Sequence, residues 1–133
     1  MARKTVTYTA DDGRDQGKVF VLTEMPASQA ERWALRAFMA LAKGGIELPD
    51  NVANMGMAGI AMLGVSALSR TPWPEAQPLL DEMFGCVQIR PNPKSPAVVR
   101  ELVEDDIEEI ATRLKLRMEL LKLHVDFSRP AAP

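Results

Sequence analysis

The sequence predicts an α+β fold, predominantly α-helical, in which an N-terminal β-hairpin is followed by about four helices, the C-terminal one longest. Three observations carry that expectation. Residues 5–9 and 18–22 are short β-favouring runs on either side of a loop dense in turn formers. Long stretches after Pro26 repeat apolar residues at helical spacing. From Glu104 to Asp126 the chain contains neither glycine nor proline.

The hairpin is read over residues 5–23, with Asp11-Asp12-Gly13-Arg14-Asp15-Gln16-Gly17 as its loop. Pro26 suits a first helical turn, where its missing N–H would have no intrahelical partner. The next helix should run to Lys43 and stop at Gly44-Gly45. Its apolar face is Ala30, Trp33, Ala34, Ala37, Phe38 and Leu41, with Leu35 and Met39 off the main stripe. Residues 52–68 are nearly all apolar, broken by Gly56, Gly59 and Gly64 and holding Met55, Met57 and Met62. A buried helix is favoured there over a membrane span, which usually takes about 20 residues and is weakened by Asn54, Ser66 and three glycines. A Met-rich surface that orders on a partner is the third reading of the same segment. Gly59 and Gly64 have the spacing of a phosphate loop, but Val65-Ser66 stands where such a loop needs a lysine.

A capped helix should start at Thr71-Pro72-Trp73-Pro74 and end at Gly85, with a short strand over residues 86–90 and an extended connector around Lys94-Ser95-Pro96. In the last helix Glu104, Asp105, Asp106, Glu108 and Glu109 crowd the start, while Arg113, Lys115, Arg117 and Lys122 follow, the order the helix dipole favours. Glu109 and Arg113 are spaced for an intrahelical ion pair. The expected core stripe is Ile107, Ile110, Leu114, Met118, Leu121 and Val125, and a second stripe, Leu116, Leu120, Leu123 and Phe127, marks its later half. Residues 1–127 thus read as one domain (hairpin 5–23, helical part 26–127), and 128–133 as a disordered tail.

Composition narrows function by exclusion. The 133 residues are 47% hydrophobic and 26% charged, with 16 Lys plus Arg against 18 Asp plus Glu, for a net charge of −2. A nucleic-acid binder would show a basic excess, so no nucleic-acid partner is expected, and no membrane partner either. One histidine (His124) and one cysteine (Cys86) leave little from which to build a metal site, and no cofactor is expected. The lone cysteine and the absence of a signal-like N-terminus point to the cytosol. The acids at 104–109 read as a solvated cap rather than a cation site, and the 11–17 loop lacks the spacing of a calcium loop. His124 has no nucleophile at a recognisable motif distance, and Arg32/Arg36 and Arg113/Arg117 read as solvated ridges. No enzyme is indicated. What remains is a surplus of apolar helix surface, and large exposed apolar patches usually mark partner sites. The expected partner-binding residues are Trp33, Leu35, Phe38, Met39, Leu116, Leu120, Leu123 and Phe127. The alternative is that these close one core or a homo-oligomer interface.

Two stretches also resemble a known family. Gly17-Lys18-Val19-Phe20-Val21-Leu22-Thr23-Glu24-Met25-Pro26, running into Ala30-Glu31-Arg32-Trp33-Ala34-Leu35-Arg36-Ala37, is similar to the phage tail assembly chaperones of long-tailed bacteriophages and prophages. So is Val103-Glu104-Asp105-Asp106-Ile107-Glu108-Glu109-Ile110-Ala111, with Leu121-Lys122-Leu123-His124-Val125-Asp126-Phe127. The resemblance implies a non-enzymatic, mostly helical protein of the host bacterial cytoplasm. It would bind the tape measure protein, help tail-tube subunits polymerise around it, and be absent from the finished virion. The alternatives are a structural tail or head–tail component retained in the virion, and a small prophage regulatory or anti-defence binding protein. The family offers no catalytic residues to carry over.

Overall fold

A computed structural model describes residues 3–43 and 71–125. The fold is mixed α+β, with a four-stranded antiparallel sheet and three α-helices among the described residues. The strands are β1 (Thr5–Thr9), β2 (Val19–Thr23), β3 (Val87–Arg90) and β4 (Arg100–Glu101), in that spatial order. The helices are α1 (Ala27–Lys43), α2 (Trp73–Phe84) and α3 (Ile110–Val125). The expected helix at 52–68 and the tail at 128–133 lie outside the described residues. The chain divides into two compact units: residues 1–26 with 83–133, and residues 27–82.

In the first unit the hairpin forms as its composition dictates. Thr5 pairs with Thr23 and Thr9 with Val19. The loop between them closes through the Gly17 N–H to the Ala10 carbonyl (2.9 Å) and the Ala10 N–H to the Lys18 carbonyl (3.0 Å). Gly13 (φ 68°) and Gly17 (φ 89°) take left-handed angles that a side chain would strain. β2 becomes a central strand because β3 adds to its free edge, setting Phe20 opposite Ile89 and Leu22 opposite Val87. These four residues are buried and lie on one face, since alternate strand residues share a face. The short β3 is legible in the sequence, but its pairing and the two-residue β4 are not.

α3 runs against β1, and here three expectations need correction. First, the helix does not start at Glu104. The Val103 N–H donates to Asp106 Oδ2 (2.7 Å), closing a single 3-10 turn over Glu104–Asp106, and Ile107 is extended. α3 therefore begins at Ile110 and, at 16 residues, is shorter than the 17-residue α1. Second, Glu109 pairs with Arg14 across the unit (2.5 Å) instead of with Arg113. Third, the two apolar stripes exchange roles. Leu116, Leu120 and Leu123 are fully buried, whereas Ile110, Leu114 and Met118 are 77%, 57% and 39% exposed.

Polar neighbours decide that rotation. Asp15, fully buried in the hairpin loop, accepts the N–H groups of Glu108 (2.9 Å) and Glu109 (3.0 Å), and also hydrogen-bonds Thr112 and Lys18. It thereby holds the start of α3 from outside the helix, taking up the amides of the two residues just before its first turn. Thr112 must face Asp15, so positions 116, 120 and 123, which follow it at helical spacing, turn inward too. Lys115 reaches Asp11 (3.1 Å) and Asp12 (3.3 Å) on one side. On the other, the Arg113 and Arg117 guanidiniums lie 4.2 and 4.4 Å from the Phe84 ring centroid.

The second unit is described through α1 and most of α2, which run in opposite directions. The Trp33 Nε1–H donates to the Leu79 carbonyl (2.9 Å), Gln29 and Arg36 both reach Glu82, and Lys43 pairs with Glu75. Pro78 inside α2 removes one amide donor, which costs the helix one internal hydrogen bond.

Candidate protein-interaction surface

The candidate surface follows from the exposed apolar side chains of the two units, each considered by itself. In the first unit, Ile110, Leu114 and Met118 succeed one another at i, i+4 spacing, so they form one outward row along α3. Leu121 is half-buried beside the row. From Ile110 to Leu121 the row is about 17 Å long at the helical rise of 1.5 Å per residue. Val103, 60% exposed, precedes the helix. In the second unit, Leu35 and Met39 make the same i, i+4 step on α1 and are 51% and 68% exposed.

The eight expected partner-binding residues therefore divide. Leu35 and Met39 are on the surface. Trp33 is half-buried and tied to α2 through its indole N–H. Leu116, Leu120 and Leu123 are core residues and provide no accessible surface, which overturns that part of the expectation. The side chain of Phe38 and all of Phe127 lie outside the described residues. Sequence reasoning missed Ile110, Leu114 and Met118, assigning them to the core. The available signal was Thr112: a polar residue on the Leu116–Leu120 side and a buried carboxylate to receive it together fix which stripe faces in. The loop aspartate, however, is some ninety residues away in sequence, as its contact with Glu108 shows.

The polar groups near this surface are engaged structurally. Burial acts to raise the Asp15 carboxyl, but the Glu108 amide, Thr112, Lys18 and the Glu109 amide outweigh it and hold the pKa down to about 2. Arg100 grips Asp106 with two parallel hydrogen bonds of 2.8 Å and lowers that carboxyl's pKa as well. The acids at 104–109 are thus partly a buried ion-pair set and partly loop, not the first turns of a helix. Among the described residues no group of three or more His, Cys, Asp or Glu side chains is arranged to hold a metal ion. His124 uses both ring nitrogens on backbone: Nε2 accepts the Met25 N–H (2.9 Å), and Nδ1 donates to the Leu120 carbonyl (2.8 Å). That tautomer follows from the bonds, because an amide N–H requires an unprotonated acceptor. No helix among the described residues is long and apolar enough to cross a membrane. Comparison with protein-family models, with curated proteins and with solved structures finds no match.

Proposed function

We propose that this chain is a non-enzymatic protein-binding protein that assists assembly of a long-tailed phage tail in the host cytoplasm. It engages the tape measure protein and aids polymerisation of tail-tube subunits around it. The observation that carries the binding part is the outward row Ile110, Leu114 and Met118 on a helix whose opposite face is already filled by Leu116, Leu120 and Leu123. An apolar row of this kind on a chain with 26% charged residues serves as contact surface for another apolar helix. Methionine and leucine suit a client whose sequence varies along its length, because they repack around different side chains. The tail-assembly part rests on the resemblance of the residue 17–37 and 103–127 stretches to the chaperone family.

The test is co-expression with the tape measure protein encoded by the same phage genome. The soluble fraction of the tape measure protein should rise with this chain present, and the rise should be lost with Leu114→Asp. An unchanged soluble fraction, with the chain found in purified virions, would refute the chaperone reading in favour of a retained tail component.

A further inference from the structure

We infer that the outer edge of β1 pairs antiparallel with β1 of a second copy of this chain, joining two sheets about a two-fold axis at Thr7. The pairing uses neither the apolar row of α3 nor the tail-assembly reading.

The hydrogen-bond register of the hairpin decides which backbone groups face outward. The Ala10 N–H donates to the Lys18 carbonyl and the Glu24 N–H to the Lys4 carbonyl, both at 3.0 Å. Lys4 and Ala10, and by alternation Val6 and Tyr8, therefore turn their backbone groups toward β2. Thr5, Thr7 and Thr9 turn theirs away from it, and β1 is the last strand of the sheet on that side among the described residues. Natural sheets blunt such an edge with a charge, a proline or a bulge. β1 carries none of these: Thr5–Thr9 is uncharged, lacks proline and pairs with β2 without an insertion. Its three threonines are all exposed. The opposite edge differs, because β4 is only two residues long and both, Arg100 and Glu101, are charged.

The charges at the two ends of β1 select the occupant. At its start Lys4 pairs with Glu24 (3.8 Å), so the exposed Arg3 leaves that end net positive. At its finish Asp11 and Asp12 share Lys115, and Glu119 adds its charge near Tyr8, so that end is net negative. An antiparallel copy centred on Thr7 sets Thr7 against Thr7 and Thr5 against Thr9. Carried two residues further, the same register sets Arg3 against Asp11 of the second copy, at both ends. Each threonine pair exchanges two backbone hydrogen bonds. Thr–Thr neighbours on one face and Val6–Tyr8 neighbours on the other are favourable cross-strand pairs. A parallel copy would instead bring Arg3 beside Arg3 and Asp11 beside Asp11. The edge is thus complementary to itself in the antiparallel direction.

Sedimentation equilibrium of the full chain at rising concentration should show a monomer–dimer equilibrium. Thr7→Pro removes an N–H that faces away from β2 and should raise the dimer dissociation constant by about tenfold, with the circular dichroism spectrum unchanged. Thr7→Lys, which sets two ammonium groups side by side at the axis, should weaken the dimer severalfold and decides the matter if Thr7→Pro fails to fold. Arg3→Asp and Asp11→Arg should each weaken the dimer severalfold at low salt, and the double variant should restore it. A chain that stays monomeric up to about 1 mM would overturn the proposal. So would a dimer that neither folded Thr7 variant weakens, one that Leu114→Glu disperses, or a double charge variant no tighter than the single ones.

Discussion

Replacing Asp15 by asparagine keeps the shape of the side chain and removes its charge. The buried carboxylate holds the start of α3 by accepting two amides, 2.9 and 3.0 Å away, and it binds Lys18 at 3.0 Å. An asparagine has one acceptor oxygen and presents N–H groups where the second amide needs an acceptor. The magnitude follows from the carboxyl's pKa, lowered from 3.8 to about 2. At about 1.4 kcal/mol per pKa unit, this shift corresponds to roughly 2–3 kcal/mol of stability. The sign follows from linkage. The pKa is depressed in the fold, so the contribution is complete above the unfolded-state value and is lost as pH falls through the folded-state value. Urea unfolding of the parent and Asp15→Asn proteins, followed by circular dichroism, should show a gap of about 2–3 kcal/mol at about pH 7. The gap should narrow below about pH 4 and nearly close by about pH 2. The depressed carboxyls Asp106, Glu82 and Asp11 are common to both proteins, so their titration cancels in the comparison, whereas Glu109, whose pKa the Asp15 charge raises, is lowered further in Asp15→Asn. A gap that stays constant down to about pH 2, or one below about 0.5 kcal/mol at neutral pH, would refute the assignment of the Asp15 carboxylate as the external anchor of the start of α3.

Further substitutions separate core from surface and conformation from contact. Leu120→Ala removes a fully buried side chain and should cost about 2–5 kcal/mol, while Leu114→Ala should stay within about 0.5 kcal/mol by the same unfolding measurement. Leu120→Asp should unfold the chain outright, since it buries an unpaired charge. Gly17→Ala should cost about 1 kcal/mol through its left-handed backbone alone, because nothing lies within 4 Å of the added Cβ. Gly13→Ala should cost more in the same thermal or urea unfolding series. There the Cβ would also stand 3.3 Å from Glu109 Cγ and press on the residue that pairs with Arg14.

The local elements were largely legible in the chain itself. Threonine and valine alternating before a loop with two glycines specify the hairpin. Pro26 and the alanine-rich run after it specify α1, and Thr71-Pro72 the start of α2. Such features depend on backbone preferences and spacing within a few residues, which sequence records directly. The orientation of the last helix was not legible in that way. Residues 110–125 carry apolar side chains on both faces, so helical periodicity is satisfied equally by either choice of core.

What the sequence by itself determined is a mixed α+β chain with surplus apolar helix surface, because composition and periodicity are local properties. Only the tertiary structure decided where that surplus faces. Asp15 and Thr112 join the hairpin loop to α3, and Lys115 and Arg113 brace its two sides. These contacts bury Leu116, Leu120 and Leu123 and turn Ile110, Leu114 and Met118 to the outside. The physical reason is that a buried carboxylate must have its hydrogen-bond donors, and this requirement selects one rotation of a helix whose two apolar faces would otherwise compete on nearly equal terms.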